Sequence, residues 1–389
     1  MLRRWMFIML LCLFAAPAAA QDETPLLAML ARVPASQLGV QGGYISYADY
    51  EAIFGQAGLN PQTAAEYDLM ENIGLQDAWF ANARRIYSGL PSVIQYLAVG
   101  YTDSLEIHGF EWFAIDQSLT FGSPPTQGAI LAGDFDTDAV IEAFTARGYQ
   151  PVEIGGVTTL CPLDGCDEGM RIDFSSRDPA FLFGGQLGRR ELVAPLPGLL
   201  LNSPALETME AMIAAQGDQP SLLDTPDYRA LVKTLYTPAD AQLMQLNVFN
   251  AADIVDFAVP EGLNTNAIGM LPPYSLAALA DYQAGDDQLV QVLLVYDDEA
   301  SAEAAALELG QRVEDFDIGG IYAETNARLD STQVYTASDR WVVVAGVRYP
   351  LPSDDEDGDP VPPGQIYRLW MNALARREFV PIAANIGNQ

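Results

Sequence analysis

The sequence predicts an α+β fold: two diverged repeats, each a mainly antiparallel sheet with helices packed on one face. Three observations lead there. Apolar runs of strand length recur along the chain, at 129–132, 152–160, 242–249 and 288–296. An acidic turn opens a helix after a strand twice, with Asp134, Asp136 and Asp138 before 139–147 and Asp297, Asp298 and Glu299 before 300–313. Two strand-like segments then follow each of these helices, which reads as an internal repeat.

The elements follow in order. Thr24 and Pro25 form a cap and first-turn proline, and Leu26, Leu27, Leu30 and Val33 continue at helical spacing until Pro34. Residues 42–47 read as a strand and 48–54 as a short helix opened near Asp49. Residues 62–87 are broadly helical with a break at Gly74; Trp79, Ala83 and Ile86 share one face. After the first acidic turn, the helix 139–147 stops at Gly148. Residues 152–160 and 170–174 read as strands on either side of a cysteine turn. The stretch 192–201 is apolar, and helices follow at 204–215 and 227–236, separated by a loop. In the second part, 333–336 and 341–347 form a closing hairpin. Residues 364–377 form an amphipathic helix, with Ile366, Leu369, Trp370 and Leu374 inward and Arg376 and Arg377 at its C-terminal end. This divides the chain into a leader at 1–20, a first α+β unit at 21–238, and a second at 239–389 that carries an acidic loop and the terminal helix.

The leader has the pattern of a cleavable export signal. Arg3 and Arg4 precede an apolar stretch from Trp5 to Phe14, too short to anchor in a bilayer, and Ala18-Ala19-Ala20 supplies the small-residue cleavage site. Lipidation at Cys12 is disfavoured because Leu11, not a small residue, precedes it. No later segment is long and apolar enough to span a membrane, so the expectation is a secreted or periplasm-like protein without a transmembrane anchor.

Cleavage would remove two arginines and leave 52 acidic residues against 17 basic ones, a net charge of −35. Such a surface repels nucleic acid and anionic membranes and favours solubility and basic or cationic partners. Half of the residues are hydrophobic, so the acidity belongs to a folded protein and not to a disordered tail.

Cys161 and Cys166 flank Pro162-Leu163-Asp164-Gly165, a turn sequence. In an oxidising compartment they are expected to form a local disulfide. Redox and metal readings are weaker: the spacing is four residues, not two, and His108 is the only histidine.

Within 105–235 the chain resembles a known family. Gly109-Phe110, Ile115-Asp116, Ser123-Pro124-Pro125, Ala132-Gly133-Asp134-Phe135-Asp136 and Ala146-Arg147-Gly148-Tyr149 carry the likeness, and residues 221–228, SLLDTPDY, are similar to a second signature. They resemble an exported bacterial family of secreted proteins and lipoproteins, mainly actinobacterial and from chloroflexi. The resemblance covers about a third of the chain and implies export and a repeated α+β architecture. The family has no established activity, so no catalytic residue is carried over.

The sequence lacks the common catalytic motifs. No G-x-S-x-G, H-E-x-x-H, P-loop or dinucleotide glycine fingerprint occurs. Serine–lysine acyl transfer fails because Ala230 stands three residues before Lys233. His108 has no nominated partner and reads as a structural or surface residue. With so many carboxylates, pairs suited to glycoside hydrolysis arise by chance.

The enzymatic alternative is a metal-dependent phosphatase. Asp136-Thr137-Asp138-Ala139-Val140 fits the D-x-D-x-[VT] pattern of haloacid-dehalogenase-type enzymes, with Asp136 as nucleophile, Asp138 handling the leaving-group proton, and Lys233 and Asp286 following in order. The competing reading is that these aspartates cap a helix. A concave pocket converging on Asp136, Lys233 and Asp286 would favour the enzyme; a broad sheet face without convergence would favour a binder.

Calcium is the one cofactor the sequence raises. Ser353, Asp355, Asp357 and Asp359 alternate as in a calcium loop, with Gly358 at the bend, but Gly364 stands where an EF-hand has its bidentate Glu. A solvated acidic loop is the competing reading. The aromatics Trp112, Phe113, Tyr322, Tyr335 and Trp341 read as core, with a peptide or glycan groove as the alternative. The leading expectation is therefore an exported, non-catalytic binding or structural protein with a protein, glycan or small-molecule partner.

Overall fold

The computed structural model describes residues 24–37, 44–56, 58–89, 101–124, 126–215, 217, 219–251, 270–351 and 362–384. The leader and the acidic loop bearing Ser353, Asp355, Asp357 and Asp359 lie outside these residues.

Helix α1 (Pro25–Leu30) starts behind Thr24 and carries proline in its first turn. Strand β1 (Tyr44–Asp49) runs straight into α2 (Tyr50–Gln56), where Asp49 Oδ1 accepts the Ala52 N–H at 2.9 Å. Helices α3 (Ala64–Asn72) and α4 (Gln76–Ala83) are separated at Gly74, whose φ of +75° few other residues tolerate. Then come α5 (Ser104–His108), β2 (Ile115–Phe121) and β3 (Gly128–Gly133). Helix α6 (Thr137–Ala146) follows the first acidic turn and leads to the hairpin β4 (Tyr149–Ile154) and β5 (Val157–Pro162). A second hairpin, β6 (Leu192–Leu196) and β7 (Leu199–Ser203), precedes α7 (Leu206–Ala214) and α8 (Pro226–Leu235).

The remaining chain runs β8 (Gln242–Asn250), β9 (Leu276–Ala284), β10 (Asp287–Tyr296) and α9 (Glu299–Asp315). It continues through α10 (Ile321–Thr325), β11 (Arg328–Ala337), β12 (Arg340–Pro350) and α11 (Gln365–Ala375). The order β1–β2–β3–α6 thus recurs as β8–β9–β10–α9, each with an aspartate cap before the helix and a hairpin after it. The hairpins dock differently. Strand β12 pairs directly with β10, whereas β6 and β7 lie between β5 and β3.

All twelve strands form one antiparallel sheet in the order β11-β12-β10-β9-β8-β1-β2-β3-β7-β6-β5-β4. The fold is therefore α+β with an antiparallel sheet, as the sequence predicts. The predicted boundary between the units at 238/239 falls between α8 and β8, and β8 pairs with β1 at mid-sheet, so strands from both sides of it share the sheet.

Two expectations differ from the structure. Helices cover both faces of the sheet, not one. Leu289 and Leu293 of β10 pack in one core with Leu26 of α1, Met209 of α7 and Leu231 of α8, while Val290, Val292 and Leu294 pack in another with Leu309 of α9 and Trp370 of α11. Successive strand residues point to opposite faces, so a strand that is apolar throughout, such as β10, needs cover on both. Residues 170–174 are not a strand: Cys166–Met170 and Phe174–Ser176 are short 3-10 turns, and β5 pairs with β4 and β6. Strands β2 and β9 have no counterpart in the sequence reading; β9 is rich in alanine, which carries little strand preference.

The middle of one face is polar. Ser46, Ser118, Thr120, Gln245, Asn247, Asp281 and Gln283 are all buried there. The segment 85–89 lies across them. Gln245 Oε1 accepts the Tyr87 and Ser88 N–H groups at 2.9 and 3.2 Å, Gln245 Nε2 donates to Arg85 O at 2.9 Å, and Gly89 N donates to Ser46 Oγ at 2.7 Å. Gly89 has φ +75°, and a Cβ on it would stand 2.4 Å from Ser118 Oγ, so the close approach requires glycine.

Candidate anion-binding site

The residues nominated for phosphoryl transfer are exposed and scattered. Asp136 caps α6, its Oδ1 accepting the Asp138 and Ala139 N–H groups at 3.0 and 3.2 Å. Asp138 is exposed in the first turn of the same helix. Lys233 is exposed on α8, which packs on the face opposite α6, and Asp286 is exposed in the turn between β9 and β10. The structure brings together only Asp136 and Asp138, and their geometry is that of a helix cap. Among the described residues, no group of three or more His, Cys, Asp or Glu is arranged to hold a metal ion.

Cys161 and Cys166 form the expected disulfide, with Cα atoms 4.8 Å apart. It closes the turn that takes the chain out of β5, not the tip of a strand hairpin. Trp112 and Phe113 are core residues, and Tyr322, Tyr335 and Trp341 are partly buried.

The described residues do converge elsewhere. A cleft of about 340 Å³ lies beside the C-terminus of α6, walled by Arg147, Tyr149, Phe181, Arg189 and Arg190, with Asp178, Ser176 and Gly185 completing it. Its volume is in the range of small-ligand sites. Arg147 is the C-cap of α6, and Gly148, with φ +84°, turns the chain into β4 so that Tyr149 follows directly. The Arg147 guanidinium sits 5.0 Å over the Phe181 ring, and its Nη2 donates to Asp178 Oδ2. The segment bearing Arg189 and Arg190 is held close by Gly188, where a Cβ would lie 1.8 Å from Asp173 O.

His108 supports this wall from behind. Its ring stacks on Phe181 at 5.5 Å and 7°, and Nε2 accepts the Leu182 N–H at 3.0 Å. Nδ1 lies 3.3 Å from Ser104 O and 3.2 Å from the Trp112 indole N–H, so both ring nitrogens are engaged inside the protein. Burial pushes the His108 pKa down to about 3, so the ring is neutral at physiological pH. The lone histidine is structural, and it positions the aromatic floor on which Arg147 rests.

Three residues lining this cleft carry under-used polar groups. The Tyr149 hydroxyl is buried with no hydrogen-bond partner among the described residues, and so is Arg189 Nε. Arg190 makes no hydrogen bond or salt bridge among the described residues, and Arg189 meets Glu191 only at 3.9 Å. Burial raises the Glu191 carboxyl to about 7, against the lowering effects of Asn202 and Arg189. A buried hydroxyl without a partner costs about 1–3 kcal/mol. Guanidinium groups gathered in one cleft match a carboxylate or phosphate, which accepts several charge-assisted bonds at once.

The sequence reading passed over these residues, although a signal was present. Five of the chain's 19 lysines and arginines, Arg147, Arg171, Arg177, Arg189 and Arg190, fall within 147–190. In a chain with 52 acidic residues that clustering of arginines stands out, although six carboxylates share the same segment. Its convergence on Tyr149 depends on how the segment 176–190 folds back against β4.

No protein-family model matches the chain, and no curated protein matches it. Among solved structures, crystal forms I, III and IV of TP0453 are similar at 11%, 11% and 12% identity, with TM-scores of 0.33, 0.33 and 0.34; each covers 81% of this chain, and the chain covers 92%, 93% and 92% of theirs. Likeness at that level carries no functional argument.

Proposed function

We propose that this is an exported, non-catalytic protein that binds a small anionic ligand in the cleft of Arg147, Tyr149, Arg189 and Arg190. The observation that carries the reading is the gathering of Arg147, Arg189 and Arg190 in one cleft, with Arg190 unpaired among the described residues. A net-negative protein that concentrates arginines in one cleft offers a local positive site to an anion. Export rests on the leader pattern and fits the Cys161–Cys166 disulfide. The resemblance at 105–235 to an exported bacterial family supports the same compartment. No helix among the described residues is long and apolar enough to cross a membrane.

The test is a thermal melt of the mature chain with acetate, inorganic phosphate or chloride at matched ionic strength. A ligand that binds only the folded state raises the midpoint by mass action. The expected result is a rise with acetate or phosphate beyond that with chloride, lost in Arg190→Ala. Equal midpoints in all three salts would overturn the proposal. Arg190 is exposed and unpaired among the described residues, so its removal leaves the fold intact.

A further inference from the structure

The two ends of the sheet, β4 and β11, are built differently. Gly155 and Gly156 close the β4–β5 hairpin with two residues, so Ile154, Val152 and Gln150 exchange hydrogen bonds with β5. Glu153, Pro151 and Tyr149 then turn their backbone groups to the free edge, where proline has no N–H to offer and the edge is blunted. At the other end Ser338 and Asp339, both with positive φ, close the β11–β12 hairpin in the same way. Ala337, Tyr335 and Gln333 bond to β12, and the backbone N–H and C=O groups of Thr336, Val334 and Thr332 point outward. Those outward groups have no partner among the described residues. Residues 332–337 hold no charge and no proline, and their threonines, valine and tyrosine favour strands, so β11 is an open pairing edge.

The flank of this edge is acidic. Helix α9 rests on β11 at Gly310, where a Cβ would stand 2.4 Å from Thr332 Oγ1. Ala302, Ala305, Leu309 and Val313 of α9 turn into the core. Helical spacing then places Glu303, Leu307 and Glu314 beyond Gly310, on the side of α9 toward the free edge. Leu307 is 79% exposed, and Glu303 and Glu314 are exposed with no hydrogen bond or ion pair among the described residues. Glu324, just before β11, is a third such carboxylate, against one unpaired cation, Arg328. We infer that the β11 edge takes an extended, cationic segment of a partner protein as an added strand. Main-chain bonds to Thr332, Val334 and Thr336 hold the segment. Its basic side chains on the α9 side meet Glu303 and Glu314, and an apolar one between them meets Leu307. A second copy of this chain is a poorer occupant: antiparallel pairing of two β11 edges keeps α9 on the same face of both sheets and brings two acidic flanks together. The edge is separate from the arginine cleft, which lies at the β4 end of the sheet.

The probe is a labelled, end-capped heptapeptide, Thr-Lys-Thr-Val-Thr-Lys-Thr, titrated against the mature chain by fluorescence anisotropy, with amide hydrogen exchange read in parallel. One control peptide carries Glu in place of Lys. A second carries N-methyl groups on its backbone amides, which remove the main-chain donors and keep the charge. The Lys peptide is expected to bind at least tenfold tighter than either control and to slow exchange at the Val334 and Thr336 amides. Val334→Pro is expected to weaken binding at least tenfold with the melting midpoint kept, because it removes only an outward N–H, as Pro151 does at the other end. Should that variant melt early, the N-methyl control still tests strand pairing on the unaltered protein. Equal binding of the N-methyl peptide would overturn strand addition, and equal binding of the Glu peptide would overturn the cationic partner. A wild-type dimer in sedimentation that Val334→Pro returns to monomers would assign the edge to a second copy and overturn the inference. Failure of the Lys peptide to bind would overturn it as well.

Discussion

Arg85 and Asp281, 196 residues apart, form a bidentate ion pair at the centre of the sheet, with Nε to Oδ2 at 2.9 Å and Nη2 to Oδ1 at 3.0 Å. The two side chains are 3% and 0% exposed. Burial opposes the Arg85 charge, and the Asp281 carboxylate more than offsets it, leaving the arginine pKa raised. Gln283 and Gln245 complete the pair, at 3.0 Å to Arg85 Nη1 and 2.9 Å to Asp281 Oδ2. This network fastens the segment 85–89 over the polar stripe between the helical layers.

Arg85→Ala or Asp281→Ala should each destabilise the protein by about 3–5 kcal/mol, because each leaves a buried charge without its partner. Replacing both by apolar residues of similar size should cost less than either single change. Urea unfolding of the two single variants and the double variant measures this. Single-variant losses below about 1 kcal/mol would show that water reaches the pair.

Tyr149→Phe should separate stability from binding. Removing a buried hydroxyl that has no partner should leave the free protein unchanged or up to about 1–2 kcal/mol more stable. The same change should weaken anion binding by removing a donor from the cleft. Denaturant unfolding without ligand and titration with acetate give the two halves. Lower stability with unaltered binding would mean that the hydroxyl is bonded inside the protein.

His108→Ala should cost about 2–4 kcal/mol, since it leaves the Leu182 N–H unsatisfied and a cavity behind Phe181. Because Phe181 supports Arg147, anion affinity should fall too, with no change in the pH dependence of binding, as His108 is neutral throughout the working range. Titrations at pH 6 and 8 check this. A pH-dependent binding change specific to the variant would contradict the neutral ring.

Stability should rise as the pH falls from 8 to about 5. Burial raises Asp49 and Asp116 to about 6 and Glu191 to about 7. A carboxyl with a raised native pKa contributes stability that is fully present below its unfolded value and lost as the pH rises through the native one. His108 acts oppositely: its contribution is present above about 6.5, the unfolded value, and is lost as the pH falls toward 3. Three groups oppose one, and half-buried Asp116 counts for least. Glu191→Gln should flatten the profile above pH 6. Melts across pH 5–8 test the sign, and a midpoint that falls steadily on acidification would refute it.

Much of the fold was legible because it is encoded locally. Asp136 and Asp298 cap α6 and α9, and Gly74, Gly148 and Pro25 punctuate helices through their own backbone preferences. Four residues separate the two cysteines, and the disulfide they imply is present. The α+β class and the antiparallel sheet follow from such signals.

What the chain folds against was not legible. Gln245, Asn247, Asp281 and Gln283 alternate with apolar neighbours, the pattern of a strand with one wet face. In the structure that face is buried under residues 85–89, because Arg85 and the backbone after it supply the partners those side chains need. The arginine cleft has the same character. Arg147 and Tyr149 come from the end of α6 and the start of β4, Arg189 and Arg190 from a turn forty residues later, and His108 from α5 behind them. Composition, local caps and turn residues determine which elements form, since each depends on neighbours in sequence. Only the tertiary structure decides which polar groups find partners and which, like the Tyr149 hydroxyl, find none among the described residues, because satisfaction of a buried group depends on atoms brought together from distant parts of the chain.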